Sequence, residues 1–139
     1  MMQDSKPIFA YALSNQPDHK FRVAADQPLA PGNHVVRVKF DYDGGGIGKG
    51  ATATLLVDEK QVAQGRIPRT IGVRFSLDET FDVGQDTGTP VLEEYESKMP
   101  FAFTGTLTKF AVVLEPDKLS DDERRRLHEE LAKAMEAVQ

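Results

Sequence analysis

Between residues 36 and 42 the chain alternates strictly, with Val36, Val38, Phe40 and Tyr42 in one series and Arg37, Lys39 and Asp41 in the other. A period of two sends the two series to opposite faces of a pleated strand, so the pattern predicts a half-buried strand over residues 34–42. Shorter strand-like runs recur at Pro7 to Leu13, Phe21 to Ala24, Ala51 to Val57, Gln61 to Ile67, Ile71 to Leu77, Phe101 to Phe103 and Leu107 to Leu114. Turn formers separate them: Leu29-Ala30-Pro31-Gly32-Asn33, Asp58-Glu59-Lys60 and Pro68. About seven or eight short strands with this punctuation predict an all-β chain, an antiparallel β-sandwich of jelly-roll or concanavalin-like type. The stretch from Asp78 to Pro100 reads as irregular, and no helix is expected before Glu115.

The pattern changes after Pro116. Ser120-Asp121-Asp122-Glu123 is a capping box with acids in the first turn, where the helix dipole favours them. Leu127, Leu131, Met135 and Val138 follow at spacings of four and three, giving one apolar stripe on an otherwise charged helix. The expected organisation is a β domain over residues 1–115 and a C-terminal α-helix within 116–139.

The loop between the runs ending at Tyr42 and beginning at Ala51 carries Gly44, Gly45, Gly46, Gly48, Lys49 and Gly50, a composition that raises the question of phosphate binding. Aligning the phosphate-loop motif G-x-x-x-x-G-K-[ST] on Lys49 puts Asp43 at the first glycine and Gly50 at the hydroxyl, so two of its four fixed positions fail. The dinucleotide fingerprint fits nominally at Gly46, Gly48 and Ala51, but it must open a helix, and Ala51-Thr52-Ala53-Thr54-Leu55-Leu56-Val57 reads as a strand. The expectation is a wide glycine turn joining a hairpin, with no nucleotide-binding residues.

With 139 residues the chain is expected to form one β domain, and its formal charge of −5 gives no basic footprint for nucleic acid. Arg124-Arg125-Arg126 sits among acids; from Glu115 onward there are eight acids and five bases, so a solvated helix face is the better reading. No apolar run reaches the ~18 residues of a membrane span. The chain is expected to be soluble, with neither nucleic acid nor membrane as partner, and the Met1-Met2-Gln3 start reads as that of an excised domain.

The absence of cysteine excludes a disulfide framework, a thiolate metal site and a thiol nucleophile. The histidines, His19, His34 and His128, include no i, i+4 metal pair, and no G-x-S-x-G is present, so no catalytic residue is assigned. One acidic constellation remains, in the stretch from Leu77 to Pro90. There Asp78, Glu79, Asp82 and Asp86 alternate with glycines and hydroxyls, the oxygen donors that Ca²⁺ accepts from a flexible loop. Their spacing is not that of the twelve-residue calcium loop, and carboxylates that cap turns by accepting backbone N–H bonds are the competing and favoured reading.

Three strings, FDYDGGGIGKGATATLLVDEKQVAQGRIPRTI, FSLDETFDVGQDTGTPV and FAFTGTLTKFAVVL, resemble the C-terminal domain of the large bacterial arylsulfatases, and the similarity runs from about Pro7 to Leu114. The resemblance implies a β-sandwich appended behind a catalytic sulfatase domain of the same parent chain. The parent's sulfate ester and its compartment, whether periplasmic or extracellular, do not follow from it. The C/S-x-P-x-R signature of the sulfatase nucleophile is missing here: Ser5-Lys6-Pro7 is followed by Phe9 where arginine belongs. The expected function is therefore a noncatalytic accessory domain that packs on the catalytic domain or self-associates. The alternative is a lectin-like, glycan-binding module, calcium-assisted through the acidic loop, although a chain with no Trp and three Tyr is poorly equipped to stack sugars.

Overall fold

The computed structural model describes residues 1–72, 81–116 and 119–137. Its order is β1 (Met2–Gln3), β2 (Lys6–Ala12), β3 (Lys20–Ala24), β4 (Val36–Tyr42), β5 (Ala51–Val57), β6 (Lys60–Ile67), β7 (Gln85–Asp86), β8 (Phe101–Ala102) and α1 (Asp121–Glu136). These strands form three small antiparallel sheets, β1-β2-β3, β4-β5-β6 and β7-β8, and the α-helix is C-terminal.

The centre of the second sheet is β5. Its odd positions Ala51, Ala53, Leu55 and Val57 are buried. Register aligns them with Tyr42, Phe40, Val38 and Val36 of β4 on one side, and Ala51, Ala53 and Leu55 with Ile67, Gly65 and Ala63 of β6 on the other. One face of the sheet is therefore apolar, while Arg37, Lys39 and Asp41 share the opposite face with Thr52 and Thr54. Between Leu55 and Leu56 the pairing with β6 slips by one residue, a bulge that brings both Val62 and Ala63 against the core.

The first sheet lies on part of this apolar face. Val23 and Ala25 join Ala51, Ala53, Leu55 and Ile67 in one buried cluster, with Phe9, Tyr11 and Phe21 packed around it. Small residues set the approach. A Cβ built on Gly65 would lie 2.5 Å from Val23 Cγ2, so β3 meets β6 where only hydrogen fits. Phe40 reaches the first sheet by ring contacts of 5.9 Å with Phe9 and Tyr11. A smaller cluster, Ile8, Leu92 and Tyr95, packs with Met99 and Phe101 on the other face of β2.

Turn chemistry fixes the hairpins. Asp58 and Glu59, at φ 49° and 65°, make the two-residue turn between β5 and β6, and Asp4 and Ser5, at φ 49° and 59°, do the same between β1 and β2. Both pairs have the left-handed backbone of a type I′ turn, whose twist matches the strands it joins.

Several sequence expectations are corrected. Leu107 to Leu114 forms no strand, because alternation assigns faces to side chains but supplies no ladder, and no neighbouring edge pairs with it among the described residues. Ile71 and Gly72 lie outside any strand, and the rest of the run to Leu77 falls outside the described residues. Two 3-10 helices, Pro17–His19 and Glu93–Lys98, precede Glu115, where no helix is expected. The helix α1 begins as its capping box dictates: Ser120 Oγ accepts from Glu123 N, and Glu123 returns a carboxylate to Ser120 N at 2.8 Å. Leu127, Leu131 and Ala134 are half-buried, Met135 is exposed, and Val138 falls outside the described residues.

The Gly65 contact generates a direct prediction. Gly65→Ala forces Val23 aside and lowers stability by about 1–3 kcal/mol. In urea melts Gly65→Ala/Val23→Ala should then cost less than the sum of the two single changes, because the smaller partner makes room for the added methyl.

Candidate functional site

The glycine loop is a strand-to-strand connection, as β4 and β5 pair through Tyr42↔Ala51 at its mouth. Asp43 N donates to Gly50 O at 3.0 Å and closes the neck. Gly44, Gly45, Gly46 and Gly48 take φ of 74°, 74°, 129° and 66°, the positive values that account for glycine here. The Tyr42 hydroxyl folds back into the loop, donates to Gly46 O and accepts from Lys49 N at 3.0 Å. Arg66 grips Asp43 through both terminal guanidinium nitrogens, Nη1 to Oδ1 at 2.7 Å and Nη2 to Oδ2. This pairing holds the Asp43 carboxyl below its ordinary range. Gly50 lies under that ion pair, where a Cβ would meet Arg66 Nη2 at 2.4 Å. The loop leads into β5 and not into a helix.

Of the four acids singled out by the sequence, Asp78 and Glu79 fall outside the described residues. Asp82 Oδ2 accepts from Thr87 N at 3.0 Å and from Thr87 Oγ1 at 2.6 Å. Asp86 Oδ1 accepts from Gly88 N at 3.2 Å, and its Oδ2 from the Tyr95 hydroxyl at 2.6 Å. Both carboxylates therefore brace turns. Among the described residues no three His, Asp or Glu side chains gather as a metal site. The Tyr95 hydroxyl also accepts from Val91 N at 2.7 Å, tying the 3-10 helix to the loop before it. Burial, with the bond to Asp86, pushes the Tyr95 phenol up to about 12.

Two histidines are structural ties. His34 bonds through Nδ1 to Asp58 Oδ2 at 2.7 Å and through Nε2 to Ala30 O at 2.9 Å. Both partners are acceptors, so both ring nitrogens donate and the imidazolium is favoured; the Asp58 bond raises the His34 pKa and His34 lowers that of Asp58. His19 Nδ1 lies 2.7 Å from Ser14 Oγ, which also accepts from Gln16 N at 3.3 Å. This pairing, five residues apart across a 3-10 turn, is one that sequence inspection misses. It braces an exposed turn, and among the described residues no carboxylate bonds Nε2 to orient the ring as a general base requires.

Two shallow clefts flank β3. The larger, about 410 Å³, is lined by Lys6, Arg22, Asp26, Ala63 and Gln64 among others. The smaller, about 270 Å³, lies beside Lys20, Arg22, Glu93 and Glu94. Lys20 pairs with Glu93 at 3.5 Å and Arg22 with Glu94 at 3.0 Å, so the cations of the second cleft already hold internal partners.

Apolar surface is the more distinctive feature. Val36, Val38, Phe40 and Tyr42 are 42%, 40%, 39% and 44% exposed, because the first sheet covers β5 and β6 more completely than β4. Phe103, Leu107, Phe110, Val112, Val113 and Leu114 form a second exposed series. No helix among the described residues is long and apolar enough to cross a membrane. Comparison with protein-family models, curated proteins and solved structures gives no match.

Two outcomes test these assignments. The His34 contribution to stability is complete below its ordinary pKa of 6.5 and lost as pH rises through the raised folded value, whereas that of Asp58 is lost as pH falls through a value below 3.8. The melting-point deficit of His34→Ala should therefore be larger at pH 5.5 than at pH 9. For the acidic loop, Asp86→Ala should lower the midpoint equally with and without millimolar calcium. A calcium-dependent rise in the wild type that Asp86→Ala abolishes would make the loop an ion site.

Proposed function

We propose that the chain is a noncatalytic accessory domain, the C-terminal β-sandwich of an arylsulfatase-like parent, and that it works through its surfaces. The observation that carries this reading is the exposed apolar series at 107–114, where Val113 and Leu114 are 87% and 86% exposed. A run of this kind is costly to leave in water and is what a chain presents where another domain covers it. The resemblance of residues 7–114 to the sulfatase C-terminal domain names the covering partner, a catalytic sulfatase domain of the same parent. The two three-stranded sheets, which share one core, are the two layers of the proposed sandwich, with jelly-roll connectivity its expected form.

A glycan-binding role is the second reading, favoured by one observation: the polar cleft bearing Lys6, Arg22, Asp26 and Gln64, about 410 Å³, falls within the size range of small-ligand sites. Against it, no aromatic side chain lines that cleft, and Arg22 is engaged by Glu94. The accessory reading therefore ranks first.

The encoding reading frame tests the proposal. A C/S-x-P-x-R signature in the same frame, N-terminal to residue 1, is expected; a frame joining these residues to a catalytic domain of different chemistry contradicts it. Purified chain should not hydrolyse p-nitrophenyl sulfate. Turnover abolished by one substitution within the chain would overturn the noncatalytic reading.

A further inference from the structure

The strand β4 pairs only with β5 among the described residues, which leaves its outer edge without a strand partner there. The phase of its hydrogen bonds follows from its two ends. Asp58 N donates to Val35 O at 2.9 Å and Asp43 N to Gly50 O at 3.0 Å, so the odd residues turn their backbone groups toward β5. The N–H and C=O groups of Val36, Val38, Phe40 and Tyr42 therefore point outward. The same residues carry the exposed apolar row.

The sequence of this edge is nearly its own complement. Folded about Lys39, the order Val36-Arg37-Val38-Lys39-Phe40-Asp41-Tyr42 sets Arg37 against Asp41, Val38 against Phe40 and Val36 against Tyr42. We propose that β4 pairs antiparallel with β4 of a second copy of this chain, centred on Lys39, to join two three-stranded sheets into one.

The backbone phase fits this register. Val38 faces Phe40 of the partner copy and Val36 faces Tyr42 as hydrogen-bonded pairs, for about eight new backbone bonds in all. Arg37 and Asp41 then fall at non-hydrogen-bonded pairs, where side chains come closest. Each already holds a partner in its own copy, Arg37 with Glu59 and Asp41 with Lys39, both at 2.9 Å on the exposed surface, so the opposite charges that meet on either side of the axis extend these pairs into a network. The one like-charge encounter is Lys39 with itself. Each Lys39 already pairs with its own Asp41 at 2.9 Å, and the Glu115 charge also acts on it, which softens the repulsion. On the opposite face the two apolar rows become contiguous. The pairing is isologous, so it uses both edges and stops at two copies.

The inference does not depend on which parent the chain belongs to. Sedimentation velocity on the full chain from about 1 to 500 µM should show a concentration-dependent shift from 15.4 kDa to twice that mass. Val38→Pro removes an N–H that points away from β5, which an edge strand tolerates, and should stay monomeric with unchanged circular dichroism. Arg37→Asp should weaken dimerisation at least tenfold, and Arg37→Asp/Asp41→Arg should restore it, because the swapped charges face each other again. A wild type that remains at 15.4 kDa at 500 µM overturns the proposal. So does a folded Val38→Pro that dimerises as the wild type does, or mass growth beyond two copies. If Val38→Pro unfolds, the charge-swap pair decides alone: failure of the double change to restore dimerisation overturns the proposal.

Discussion

The structure depends on the close contact of β3 with β6, where the Val23 side chain occupies the space that a side chain on Gly65 would need. Around that point β5 contributes Ala51 and Ala53, both fully buried, so the first sheet approaches its neighbour without large side chains to hold it off. Leu55 and Ile67 fill the space on either side. A core this small leaves little margin, and the close packing of Val23 against Gly65 substitutes for sheer buried area. The same geometry has a cost at the edge. A first sheet centred on β5 and β6 leaves the apolar row of β4 partly in water, with Phe40 tilted against Phe9 and stacked on Tyr11.

Polar ties do the positional work that the core leaves undone. Asp43 and Arg66 fix the neck of the glycine loop, Tyr42 fills its interior, and Glu130 of α1 lies over it, close to Gly46. His34 joins the loop before β4 to the turn after β5, and Tyr95 joins the 3-10 helix to the acidic loop. The Asp43–Arg66 and His34–Asp58 ties connect segments distant in sequence, the Tyr42 and Tyr95 ties are local, and each joins groups with complementary hydrogen-bonding needs. None brings a nucleophile, a base and an orienting acid to one place. The surface is thus the part of the molecule from which the proposed accessory role and the proposed pairing both arise.

Much of the fold was legible in the sequence, for reasons that can be traced. The alternation at 36–42, the glycine turn and the capping box at Ser120 are local signals, and β4, the β4–β5 hairpin and α1 stand where they point, although β4 begins at Val36 and is exposed along its whole length where the alternation predicts a half-buried strand from His34. Leu107 to Leu114 also reads as a strand-like run, with Phe110, Val112 and Leu114 alternating, and yet forms no strand, because a ladder needs a second edge and the sequence does not say which edge is offered. The strand β7 is two residues long and carries no periodicity to read, whereas β8 falls within the strand-like run expected at Phe101 to Phe103. For the acidic loop, composition marked Asp82 and Asp86 as oxygen donors, but the partners that engage them, Thr87, Gly88 and Tyr95, become visible only once the chain has folded. The Ser14–His19 pair was hidden likewise, since spacing alone does not reveal a 3-10 turn.

The central claim is that β4 is a half-committed strand, paired with β5 on one side and open on the other. Residue-resolved amide hydrogen exchange in dilute protein measures this most directly. The account predicts alternation along one strand: Lys39 and Asp41 amides protected, Val38 and Phe40 amides exchanging far faster. Uniform protection from Val36 to Tyr42 at concentrations where the chain is monomeric would contradict it, because another segment of the same chain would then be covering the edge.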